Sequence, residues 1–156
     1  MADYQGAMVF LETADGKLTG ISLELLGAGR KLAKDLGQTV SAVLIGSGVK
    51  ALAAEAIAYG ADTVYVVEDA TLANYVTDAY VDVLERLVKQ ASPSILLMGQ
   101  TAVGRDLAPR LAFRLGAGLS TDCIDLSIDP QTKNLLQTRP VYGGNARAVY
   151  ATNARP

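Results

Sequence analysis

Short runs of consecutive apolar residues alternate along this chain with longer stretches in which apolar positions recur at helical spacing. The first run, Ala7-Met8-Val9-Phe10-Leu11, predicts a buried strand, and Asp15-Gly16 marks a turn after it. Residues 22–36 predict a helix with Leu25, Gly29, Leu32 and Leu36 on one stripe and Gly37 as its stop. Val40-Ser41-Ala42-Val43-Leu44-Ile45 predicts the second strand, and residues 49–59 an alanine-rich helix ended by Gly60. Thr63-Val64-Tyr65-Val66-Val67 is rich in β-branched residues and predicts a third strand. Tyr80, Val83, Leu84, Leu87 and Val88 fall at helical spacing within a predicted helix over 74–90. Ser92-Pro93 precedes a fourth strand over 95–98, and a further helix follows over 103–115.

Strands alternating with helices imply right-handed crossovers and a mainly parallel sheet covered on both faces. The expected architecture is a three-layer α/β/α sandwich, doubly wound, with strand order 3-2-1-4-5. Later the pattern changes to period two: Ile124, Leu126 and Ile128 alternate with Cys123, Asp125 and Ser127. A turn at 129–134, a returning strand over 135–142, a turn at Gly143-Gly144-Asn145 and a strand over 146–151 add an antiparallel extension to the parallel sheet. Residues 1–156 are expected to form a single α/β domain. A strand so close to Pro156 leaves little chain to cover a sheet edge, which points to one half of a longer polypeptide.

Half of the residues are hydrophobic and 19% are charged, which argues against disorder. A net charge of -2 gives no electrostatic reason to expect nucleic acid or an anionic membrane as partner. No apolar stretch approaches the ~18 residues of a membrane span. The chain has no histidine, so it holds no Ser-His-Asp triad and no His-ligated zinc, and no catalytic group or metal site is assigned. A single cysteine, Cys123, and the lack of a secretory or transit signal fit the cytoplasm, with the mitochondrial matrix as the eukaryotic alternative.

Two glycine-rich turns carry candidate chemistry. Gly46-Ser47-Gly48-Val49-Lys50-Ala51 fits G-x-G-x-x-A between a strand and a helix, and Glu68 stands where a dinucleotide fingerprint places its ribose-binding acid. The other reading is a tight turn with small residues for close helix–sheet packing, and the fingerprint ordinarily uses the first strand rather than the second. In the order 3-2-1-4-5 the chain direction reverses between the first and fourth strands. The crevice then lies between the loops 12–16 and 99–104, away from Gly46. That favours the second turn, where Thr101 offers a hydroxyl, Gly104 a close approach and Arg105 a cation for an anion. Asp106 suits the positive end of the helix. Alternatively, Asp106 only favours the helix end and Arg105 pairs on the surface. Gly27-Ala28-Gly29 reads as helix packing, Cys123 as a small hydrophobe, and Asp122 and Asp125 as a poor acid/base pair on opposite faces of a strand.

Gly104-Arg105-Asp106-Leu107-Ala108-Pro109-Arg110-Leu111-Ala112, with the run on to Cys123, resembles the amino-terminal domain of the electron-transferring flavoprotein alpha subunit. So do Ala54-Glu55-Ala56-Ile57-Ala58-Tyr59-Gly60-Ala61-Asp62 and Arg139-Pro140-Val141-Tyr142-Gly143-Gly144-Asn145-Ala146. The resemblance implies an adenine-nucleotide-binding-like fold and an alpha/beta heterodimer carrying FAD. Such a carrier passes electrons from flavin dehydrogenases, such as the acyl-CoA dehydrogenases of fatty acid beta-oxidation, to a downstream acceptor. It also implies that FAD is held mostly by a second domain, with none expected on this chain, whose work is to scaffold that domain and pair with the beta subunit. The alternatives are a free AMP- or ATP-binding module using residues 99–105 and, third, a dinucleotide-dependent enzyme using residues 46–51.

Overall fold

The computed structural model describes residues 4–152 and 155–156. In chain order its elements are β1 (Ala7–Leu11), a small hairpin of β2 (Thr13–Ala14) and β3 (Lys17–Leu18), α1 (Gly20–Leu36), β4 (Val40–Gly46), α2 (Ala53–Ala58), β5 (Thr63–Glu68), α3 (Thr77–Ala91), β6 (Ile95–Leu97) and α4 (Ala102–Leu115). Three further strands follow, β7 (Asp125–Ile128), β8 (Leu135–Val141) and β9 (Ala146–Ala151).

β5, β4, β1 and β6 form a parallel sheet in that order, so the parallel strands stand 3-2-1-4 as expected. All five residues of β1 are at most 2% exposed, because this central strand is covered on both faces. Its alternate side chains feed two cores. Ala7, Val9 and Leu11 pack with Leu26 and Leu32 of α1 and Ala56 of α2. Met8 and Phe10 pack with Tyr80, Val81 and Leu84 of α3 and Leu107 and Leu111 of α4. These are the three layers. Gly29 lets α1 approach, as the packing reading expects: a Cβ there would sit 2.9 Å from Val9 Cγ2, whereas one at Gly27, on the exposed side, would meet nothing within 4 Å. Thr19 caps the start of α1, and Gly37, at φ 68°, closes its end with its N–H on the carbonyls of Ala33 and Lys34.

The fifth place in the order differs from expectation. β7, β8 and β9 pair antiparallel among themselves and form a separate sheet instead of extending the parallel one. Leu126, Ile128 and Leu135 face the α1 side of the core and hold the small sheet there by apolar contact. The helix expected over 49–59 is a 3-10 turn at Lys50–Leu52 followed by the short α2. The Glu68 carboxylate accepts from the Lys50 N–H at 2.7 Å and holds this tighter turn. The third helix begins at Thr77, after an extended Val76, rather than at Asn74. β8 ends at Val141 because Tyr142 turns to φ 51°, and Cys123 precedes β7 in a loop.

Candidate functional site

The chain direction reverses between β1 and β6, and their carboxyl ends flank one crevice. Glu12 follows β1 there. Its backbone is fixed from both sides: the Ser22 hydroxyl accepts from the Glu12 N–H at 2.7 Å and donates to the Glu12 carbonyl at 2.9 Å. Ser22 is buried on the first turn of α1, so the helix start positions Glu12. Across the crevice, the Thr101 hydroxyl donates to Glu12 Oε1 at 2.7 Å and accepts from the Gly104 N–H at 3.0 Å. Thr101 is therefore the N-cap of α4. Gly104 is buried against the Gly99 carbonyl oxygen, and any Cβ there would overlap that oxygen.

The structure thus brings Thr101 and Gly104 together, but for the helix start. The one proton of the Thr101 hydroxyl is committed to the Glu12 carboxylate. A phosphate in this crevice would meet Glu12, where it needs donors. Arg105 lies on the exposed side of α4 and makes no ion pair among the described residues. The cation that Asp106 takes is Arg110, one turn on, at 3.4 Å.

Asp106 does more than favour a helix end. Its carboxylate accepts from Thr77 Oγ1 at 2.5 Å and from the Tyr75 hydroxyl at 2.8 Å, tying α4 to the chain entering α3. The Thr77 hydroxyl first, then that of Tyr75, holds the Asp106 carboxyl below its ordinary value. Tyr75 lies 5.0 Å from Tyr80 in an edge-on ring contact, and its phenol is pushed up by burial. Arg114 of α4 bonds Asp82 and Glu85 of α3 at 2.5 and 3.0 Å. Nothing local in the sequence signals Glu12–Thr101 or Asp106–Tyr75–Thr77, because each partner comes from a distant βα unit.

In the other glycine turn the candidate acid is engaged within the protein. Glu68, the candidate ribose ligand, accepts a backbone N–H of the turn itself, and α2 has only six residues. Cys123 is partly buried, which raises its thiol, while Arg139 pulls the other way. Among the described residues no group of three or more acidic or cysteine side chains could hold a metal, and no helix is long and apolar enough to cross a membrane.

Residues 7–156 match the electron transfer flavoprotein domain. This chain belongs to the electron transfer flavoprotein family. It is 47% identical over 149 residues to the electron transfer flavoprotein subunit alpha of Thermoanaerobacterium thermosaccharolyticum, covering 96% of this chain and 45% of that protein. To the subunit alpha of Clostridium acetobutylicum it is 44% identical over 156 residues, covering 99% of this chain and 46% of that one. To the LctC subunit of a lactate dehydrogenase (NAD+, ferredoxin) from Acetobacterium woodii it is 39% identical over 154 residues, covering 98% and 37%. The chain thus spans about half the length, or less, of these curated relatives. The resemblance to the flavoprotein alpha subunit is borne out.

Electron transfer flavoproteins imply a flavin, so the crevice must be tested as its seat. Its side chains do not fit a pyrophosphate: Thr101 is spent on Glu12, Gly104 on helix closure, and Glu12 adds negative charge.

Proposed function

We propose that this chain is the amino-terminal scaffold half of an electron transfer flavoprotein alpha subunit. In this reading it pairs with a beta subunit in the cytoplasm, and FAD is held mainly by the remainder of a longer polypeptide. The complex carries electrons from flavin dehydrogenases, such as acyl-CoA dehydrogenases, to a downstream acceptor. This chain supplies rigidity and contact surface, and the redox chemistry is the flavin's.

The observation that carries the reading is the match over nearly all of this chain but about half of its relatives. The self-bonded crevice supports it, since Glu12 and Thr101 stabilise the fold where a nucleotide-binding module would offer donors. The free AMP- or ATP-binding reading meets the Glu12 carboxylate. Large apolar side chains left at the surface, Phe113 at 89% and Tyr142 at 84% exposed, suit a subunit that is covered in its assembly.

The test is co-expression with an electron transfer flavoprotein beta subunit from the same organism. One-to-one elution through gel filtration is the expected result. Separate elution, together with retention of this chain on immobilised AMP, would replace the scaffold with the nucleotide module.

A further inference from the structure

Phe113 is the most exposed large apolar side chain among the described residues, at 89%. Two residues on from the buried Leu111, it lies about 200° round α4 and points away from the core. With Pro109 and Arg110 it borders a shallow groove whose other wall is Asp78 and Val81 of α3. Both helices pack on the same face of the parallel sheet and follow parallel strands, so they run side by side in the same direction. Arg114 bonds Asp82 and Glu85, which fixes the level of one helix against the other. One turn earlier, Arg110 comes level with Asp78.

The charges at that level are not used up within the chain. Asp78 makes no ion pair among the described residues, and Arg110 holds only Asp106 among them, loosely, at 3.4 Å. An anion on α3, a cation on α4 and an exposed ring beside a groove make a surface complementary to itself. Turning a second copy by a half-rotation about an axis parallel to the two helices lays its α3 over α4 and its α4 over α3, at the same level. Each Arg110 then meets the Asp78 of the other copy, and each Phe113 enters the groove of the other beside Val81. We propose that the α3–α4 face docks on a second copy of this chain and makes a two-fold dimer.

Charge, position and size select this occupant. A face of one sign would repel its own copy, whereas here Asp78 and Asp82 stand on one helix and Arg110 and Arg114 on the other. Tyr142, the other strongly exposed aromatic, ends the β8 strand of the small sheet, which packs on the α1 side. Phe113 belongs to the opposite face of the parallel sheet. The chain therefore has two separate apolar surfaces, and a beta subunit that covers one leaves the other. Two helices of 15 and 14 residues offer a face of about 450 Å² per copy. That is below the ~800 Å² a side of a standard interface, so the association is weak and depends on concentration.

The experiment is sedimentation velocity, over a micromolar concentration series, on the full-length subunit in complex with its beta subunit. A species of twice the mass of one alpha–beta pair should grow with concentration. Phe113→Ser should weaken this association at least ~10-fold. Arg110→Glu should weaken it by a similar factor, because it sets a carboxylate against Asp78. Arg110→Glu combined with Asp78→Arg should restore it to within ~3-fold of the parent. A single pair at every concentration overturns the proposal. So does association unchanged by Phe113→Ser, or a double variant no tighter than Arg110→Glu alone. Loss of the beta subunit from the Phe113→Ser complex also overturns it and gives this face to the beta subunit. If the parent subunits separate, the scaffold reading fails, and the same series on the full-length subunit alone decides the two-fold contact.

Discussion

Two glycine turns leave the same sheet at the carboxyl ends of β4 and β6, and they use glycine for different reasons. In the first, Gly48 sits at φ 72° with nothing within 4 Å of where a Cβ would lie. Conformation alone demands the glycine there. In the second, Gly104 is in ordinary helical backbone but is pressed against the Gly99 carbonyl. Distance alone demands it. Each turn has an acid bonded within the protein: Glu68 accepts from Lys50 in the first, and Thr101 bridges Gly104 and Glu12 in the second. Glycine spacing after a strand therefore signals a tight βα junction, and only the surrounding donors decide whether an anion belongs there.

The contrast is broken most severely at Gly104. A methyl group there has only backbone to displace, so Gly104→Ala should destabilise the chain by about 3 kcal/mol, read from urea unfolding. A loss below about 1 kcal/mol would mean that α4 can slide and that the close approach is not fixed. Gly48→Ala meets no neighbour and suffers only left-handed backbone strain, about 1–2 kcal/mol. Comparable losses at the two positions would erase the distinction between them.

A smaller effect, visible only against pH, comes from Asp106. Its folded carboxyl titrates below the ordinary value of 3.8, because Thr77 and Tyr75 bond the ionised form. The stabilisation is therefore complete above the unfolded value and is lost as pH falls through the lower folded one. The parent chain should lose more stability between pH 5 and pH 2 than Asp106→Asn does, and parallel pH profiles would remove Asp106 from the account. Arg105→Ala is the smallest. An exposed cation with no ion pair among the described residues should change stability by less than ~0.5 kcal/mol. If Arg105 serves docking, beta-subunit affinity changes instead.

The parallel part of the fold was legible because each strand is a contiguous apolar run and each helix carries its own stripe and stop. Val9 and Phe10 already declare the two faces of β1, and Gly37 the end of α1. The crevice was legible as a place, since the reversal between β1 and β6 follows from strand order alone. Its contents were not. Glu12 and Thr101 lie 89 positions apart, and Asp106 meets Tyr75 across 31, so no local pattern links them. The separate sheet was missed for a related reason: period-two alternation over 124–128 identifies a strand but not its neighbour. Leu126 and Ile128 settle the matter by packing on the α1 side of the core.

We propose that this chain supports a flavin carrier without holding the flavin. The most direct measurement is the visible spectrum of the purified chain after incubation with excess FAD and gel filtration. A colourless protein peak is the expected result. A flavin band near one equivalent per chain, surviving the column, would contradict it and move the cofactor onto these residues.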